Sequence, residues 1–225
     1  IAVIATGLVG KLAREKAGFS LLAIGDNGSI GFIRQNPIVY ALHAGPDAPA
    51  IDAYAGTARV VSNLSFGQLA GPLQVPTGNL KVRIFGANDN PLNTPVAEPS
   101  LGDLKAGERY LAIATGYLTP AAGTQPFQVL SVAEGFALDD AGNSRARVVH
   151  ACPNAPAVDV GPVASNAVTP AIANLPFGNA SDSMGLSLPP SQLLTGLAPA
   201  DYDTSIVARF TLPTLAGTRG FVVAA

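Results

Sequence analysis

Two histidines and a set of acidic residues recur in this chain at matching spacing. His43-Ala-Gly-Pro-Asp-Ala-Pro-Ala-Ile-Asp52 returns as His150-Ala-Cys-Pro-Asn-Ala-Pro-Ala-Val-Asp159. A histidine beside carboxylates suits two chemistries: ligation of a metal by neutral imidazole and carboxylate, and activation of a hydroxyl by imidazole as a base. The candidates are His43, Asp47 and Asp52 in the first copy and His150 and Asp159 in the second. The second copy argues against both chemistries. Asp47 becomes Asn154, which keeps a hydrogen-bond acceptor and discards the charge, and no third firm ligand stands at metal spacing. A third reading, that His and Asp brace a turn through hydrogen bonds, is preferred. It predicts no catalytic residue, no cofactor and no metal.

The elements that must hold these residues are strands and tight turns. An apolar strand leads into each histidine. Each Pro that follows fixes its own φ and pushes the preceding residue out of the helical region. Asp47 or Asn154 can accept backbone N–H groups within such a turn, and a new strand starts at Asp52 or Asp159. Strands are predicted at residues 1–5, 19–24, 38–43, 51–55, 81–85, 110–114, 127–132, 147–151, 205–210 and 220–224. Several are apolar on consecutive positions, as in strands covered on both faces. Asp26-Asn-Gly28, Pro76-Thr-Gly78, Asn88-Asp-Asn-Pro91 and Asp139-Asp-Ala-Gly-Asn143 have turn chemistry. Helical signal is confined to Leu8–Lys16 and about a turn at Pro190–Leu197.

The copying extends past the motif. Asn63-Leu-Ser-Phe-Gly67 returns as Asn174-Leu-Pro-Phe-Gly178, Ile4-Ala-Thr-Gly7 as Ile113-Ala-Thr-Gly116, and Phe19–Ile24 as Phe127–Val132. A period near ~109 residues is too long for a solenoid repeat and fits a small domain. The chain therefore divides into residues 38–143, a first repeat, and 144–225, a second. Residues 1–37 read as the tail strands of a further unit, and the second repeat lacks the matching tail. The stray strands fit a longer array, completion of the second repeat by the first segment, or completion of a neighbouring molecule. Phe66 and Phe177, in the shared Asn-Leu-x-Phe-Gly, read as core anchors.

Composition narrows the class. Charged residues are 12%, against about 25% in ordinary soluble domains. The apolar residues come in short bursts broken by Gly and Pro, and none reaches the ~18 consecutive residues of a membrane helix. A net charge of −2 lacks the basic face that nucleic acid needs. One cysteine, Cys152, cannot form an internal disulfide, and its counterpart is Gly45. It reads as a small buried residue. A start at Ile1 suggests a removed leader or an upstream part. Signatures for a nucleophile elbow, a phosphate loop and zinc proteases are absent.

Each repeat, with some seven short strands, is expected to form an all-β fold, an immunoglobulin-like or transthyretin-like sandwich, two in tandem. The order of an apolar strand, His-Ala-x-Pro-Asp/Asn-Ala-Pro-Ala-Ile/Val-Asp, Asn-Leu-x-Phe-Gly and a strand like Leu111-Ala-Ile-Ala-Thr-Gly116 resembles the bacterial domain-of-unknown-function 4397 family. The resemblance covers both repeats and implies secreted or envelope-attached β-domains, often in tandem. It supplies no catalytic residues. The second repeat departs after Asp159, where Gly161-Pro162 is expected to interrupt the strand and leave an irregular edge. The expected function is a non-catalytic, extracellular or cell-envelope structural or adhesive module. It would pair with like modules, or with cell-surface components, without nucleic acid and without a membrane span. The alternative is a ligand-binding envelope module, possibly for glycans.

Overall fold

The protein is all-β. A computed structural model describes residues 2–9, 11, 14–15, 17–136 and 142–225, and among these it has strands and no helix. The leading segment is a meander of β1 (Ala2–Thr6), β2 (Ser20–Ile24) and β3 (Ile30–Arg34). The first repeat follows with β4 (Ile38–Ala44), β5 (Ile51–Ala55), β6 (Ala58–Leu64), β7 (Leu69–Gln74), β8 (Gly78–Lys81), β9 (Arg83–Gly86), β10 (Ser100–Leu104), β11 (Arg109–Thr115) and β12 (Gln128–Ala133). The second carries β13 (Ser144–His150), β14 (Val158–Ala164), β15 (Ala167–Val168), β16 (Ile172–Leu175), β17 (Leu186–Leu188), β18 (Ser191–Pro199), β19 (Ala208–Thr214) and β20 (Arg219–Ala224).

The chain forms two compact units. One comprises Ile1–His43, Pro49–Ile113 and Val129–Glu134, the other Ala44–Ala48, Ala114–Gln128 and Gly135–Ala225. In the first, β12-β11-β4-β7 make one sheet, β6-β5-β9 a second and β10-β8 a two-stranded pair. Val39, Val75, Val82, Leu104, Tyr110 and Ala112 form a core against which Val129 of β12 packs. The Tyr110 hydroxyl stays satisfied because it accepts the Lys105 amide at 2.9 Å. The β1-β2-β3 meander is a sheet of its own. Arg14, between β1 and β2, ties this segment to Glu108 at 3.1 Å and Glu134 at 3.4 Å.

In the second unit β17-β13-β20 form one sheet, and β15-β14-β18-β19, with β16 also on β14, form another. β13 and β20 run parallel, from Arg145 opposite Arg219 to His150 opposite Ala224. Val148, Val158, Val160 and Leu175 make the core, with Val222 of β20 packed on it.

Several expectations change. Pro190–Leu197 is no helical turn. From Ser191 onward it lies in β18, held between β14 and β19. Pairing on both edges overrides the weak strand propensity of Leu and Gly. The described residues of Leu8–Lys16 form a bridge and turns, with Leu8 donating to Ala17. The strand at Asp159 does not stop at Gly161-Pro162: β14 runs on with Pro162 opposite Thr195. Proline spares the ladder here because its carbonyl still accepts the Thr169 amide at 2.8 Å. The irregularity sits earlier, as a register shift between Val158 and Val160 on the β16 side. Of the turns, Asp26-Asn-Gly28 joins β2 to β3, with the Asn27 side chain accepting the Ser29 amide at 3.0 Å and Gly28 at φ 79°. The turn at 139–143 lies largely outside the described residues.

Candidate functional site

The two histidines sit at the ends of equivalent strands, β4 and β13, and both are fully buried. The backbone of each is bonded on both sides: His43 donates to Gln68 and accepts from Gly67, and His150 donates to Asn179 and accepts from Gly178. This links the histidine strand to the Asn-Leu-x-Phe-Gly segment of its own repeat. Each ring reaches across the Pro-rich turn. Nε2 of His43 lies 2.9 Å from the Pro49 carbonyl, and Nε2 of His150 lies 2.9 Å from the Pro156 carbonyl. A carbonyl only accepts, so Nε2 carries the hydrogen in both. At His150 the other nitrogen, Nδ1, accepts the Cys152 amide at 3.3 Å, which completes a neutral imidazole with both nitrogens engaged.

The aspartates have an equally defined task. Asp52 and Asp159 are buried on β5 and β14. Asp52 accepts the Asn63 amide at 2.7 Å and the Asn88 amide at 3.3 Å. Asp159 accepts the Asn174 amide at 2.6 Å and the Asp201 amide at 3.1 Å. All four donors have left-handed backbones, with φ of 50° at Asn63 and Asn174, 68° at Asn88 and 67° at Asp201. Each carboxylate thus pins two strained positions, which Asn and Asp tolerate better than other residues with a Cβ. Burial pushes the Asp52 carboxyl up, but the two amides and the Arg59 guanidinium at 3.4 Å outweigh it and hold the group below the ordinary carboxylate range. In the second repeat the neighbouring Asp203 is pushed up, first by desolvation and then by Asp159 and Asp201.

The carboxylate that becomes an amide between copies is exposed in both. Asp47 accepts the Leu118 amide at 2.8 Å and the Thr119 amide at 3.0 Å. The Leu118 bond lowers its carboxyl pKa, against a smaller desolvation effect. Asn154 instead takes the Cys152 thiol at 3.2 Å. Cys152 is half-buried rather than a buried core residue. Phe66 and Phe177 also depart from expectation. Phe66 is exposed, Phe177 half-buried, and each presents its ring edge-on to the buried histidine of its repeat, at 6.4 and 6.0 Å. The apolar anchor under this loop is Leu64 or Leu175, two residues before the ring.

Of the candidates, His43 and Asp52 engage neighbouring backbone in the first repeat, as His150 and Asp159 do in the second, and Asp47 engages the segment at 118–119. No group of three or more His, Cys, Asp or Glu side chains among the described residues is placed to hold a metal ion. The residues missed by sequence reasoning are the amide donors Asn63, Asn88, Asn174 and Asp201. Two of these, Asn63 and Asn174, open the shared Asn-Leu-x-Phe-Gly, so their signal was present. The other two lie 36 and 42 residues from their carboxylates.

Residues 37–161, more than half of the chain, match the family model described as a domain of unknown function, DUF4397. No curated protein matches the chain.

Proposed function

We propose, for a chain that belongs to the DUF4397 family, a non-catalytic structural or adhesive role outside the cytoplasm, in which like modules associate through strands and apolar faces. Each repeat is taken as an immunoglobulin-like or transthyretin-like sandwich, and the braced turns hold its connections rather than a reacting centre.

The observation that carries this reading is the β1-β2-β3 meander. All five residues of β1 and of β3 are exposed, although their sequences are strongly apolar. Pairing puts Ile4, Leu22 and Phe32 in one row and Ala2, Ile24 and Ile30 in the next, on one face. The other face carries Val3, Ala5, Leu21, Ala23 and Ile33. Val3, Ile30, Phe32 and Ile33 are each more than half exposed. A three-stranded sheet needs one buried face for independent stability, and clustered exposed apolar residues mark interaction surfaces. Burial of such faces against like modules supplies the driving force at about 25 cal/mol per Å².

Sedimentation over a wide concentration range tests it. The expected result is concentration-dependent association that strengthens with sulfate, as apolar burial does, and that Phe32→Ser weakens without changing the β-sheet circular dichroism. A chain that stays monomeric at every concentration overturns the reading.

A further inference from the structure

The second repeat handles its buried aspartate differently from the first. In the first, the Arg59 guanidinium stands 3.4 Å from Asp52 and offsets its charge. In the second, Asp159 is 4% exposed, and among the described residues no cation pairs with it. A second acid comes to it instead. The carboxyl of Asp203 lies within hydrogen-bonding reach of the Asp159 carboxyl. The charged groups that act on Asp203 are Asp159, on β14, and Asp201, on its own turn, and both are acids.

Asp203 is not free to turn away. It lies in the connection between β18 and β19, which is fixed at several backbone points. The Ala200 amide donates to Ala157 at 2.9 Å, the Tyr202 amide to Pro199 at 3.0 Å and the Ser205 amide to Tyr202 at 2.8 Å. Asp159 holds the Asp201 amide, and the Asp203 carbonyl accepts the Val168 amide of β15 at 3.0 Å. Within this frame Oδ1 of Asp203 is enclosed and receives no donor. Two ionised carboxylates have only acceptors to offer each other, whereas one proton turns the same contact into a hydrogen bond. Asp159 can accept it, because each of its oxygens takes one amide and keeps a second lone pair. The first repeat has no such pair. Asn88 and Asp201 are the equivalent left-handed donors, so Asp203 answers to Asn90. That residue is an amide, whose Oδ1 accepts the Leu92 amide of its own turn at 3.0 Å.

We infer that Asp203 and Asp159 share one proton, taken from solvent, which latches the β18–β19 connection onto the second repeat's brace and makes it a pH-sensitive element that the first repeat lacks. With the proton bound, Asp203 donates to Asp159 and the connection is closed. When the proton returns to water, Asp159, Asp201 and Asp203 repel one another across the turn. The Asp201 and Val168 amides then lose their fixed acceptors. The latch therefore opens as pH rises.

Amide hydrogen exchange in the 225-residue chain, joined to carbon-13 NMR of its aspartate carboxyls, tests this. From pH 4 to pH 7 the protection of the Val168 and Asp201 amides, corrected for intrinsic base catalysis, should fall. By linkage the loss approaches about tenfold for each pH unit by which the closed turn raises the Asp203 midpoint. The carboxyl carbons of Asp203 and Asp159 should move together in that step, as a coupled pair does. The Asn63 and Asn88 amides should stay level over the same range, because Asp52 titrates lower. Asp203→Asn supplies the first repeat's amide, which donates without a titrating proton, so protection at Val168 and Asp201 should no longer depend on pH. Level protection in the unmodified chain, an equal fall in Asp203→Asn, or an Asp159 carbon that does not follow Asp203 overturns the latch. So does restored protection at pH 7 on adding calcium chloride, which would put a cation where the proton is placed. If Asp203→Asn does not fold, the carboxyl titration of the unmodified chain decides alone.

Discussion

The two braced turns are a natural double experiment. Between the first repeat and the second, the buried histidine and the final aspartate keep both their residue type and the kind of group they bind. The His ring donates to the second Pro carbonyl of the turn, and the Asp carboxylate holds two left-handed amides. The exposed part changes. Asp47 reaches the amides of Leu118 and Thr119, whereas Asn154 reaches the thiol of Cys152. The difference teaches where the constraint lies. A group enclosed by protein must satisfy buried amides, and only one side-chain shape does so. A group in water can lose its charge and change its partner at little cost, because solvent replaces what is lost.

Mutations can break this comparison, beginning with the aspartates. Asp52→Ala in the first repeat and Asp159→Ala in the second each strand two amides, at about 1–3 kcal/mol apiece. Denaturant melts should therefore show the largest losses here, about 2–6 kcal/mol in either repeat. A loss in only one repeat would show that the two carboxylates are not equivalent. His43→Ala and His150→Ala come next, at about 2–4 kcal/mol, from the cavity left and the Pro carbonyl orphaned. The two values should agree to within about 1 kcal/mol, a typical single-contact term.

Acid sharpens the contrast. The folded Asp52 carboxyl lies below its ordinary value, so its contribution is complete above that value and is lost as pH falls through the lowered one. Asp203 has the opposite sign. Its carboxyl is raised, so the stability it confers is present at low pH and lost as pH rises through the raised value. Stability followed from pH 7 to pH 3 should fall less in Asp52→Asn than in the unmodified chain, and Asp203→Asn should flatten the opposing trend. Equal pH profiles for all three proteins would refute the assignment. The smallest effect belongs to Asp47→Asn. An amide oxygen still accepts from Leu118 or Thr119, so thermal unfolding at neutral pH should barely move, and Asn154→Asp should be equally mild.

Much of this was legible in the residues. The duplication, and with it the equivalence of His43 with His150 and of Asp52 with Asp159, follows from near-identical strings. The bracing role of the motif was readable because Asp47 becomes Asn154. Strands with consecutive apolar residues, such as β4 and β11, were visible for the same reason that they are largely buried. β18 was not, because Ser-Gln-Leu-Leu-Thr-Gly carries little strand preference and is extended only through its neighbours. Phe66 was misplaced because an aromatic ring in a repeated motif reads as core. Leu64, two residues earlier, takes the buried site as the last residue of β6, whereas Phe66 lies in the turn that follows the strand, beyond the pleat that aims Leu64 inward.

The sequence by itself determined the repeat, the all-β character and the turn chemistry, because these depend on residue type and on neighbours a few positions away. Tertiary structure alone decided which amides Asp52 and Asp159 hold, since Asn88 and Asp201 lie dozens of residues downstream. It also decided the fates of three copies of one strand. β1, β11 and β20 share their pattern, yet β11 is buried, β20 half-buried and β1 exposed. Burial is a property of the strands alongside, and no local string encodes it.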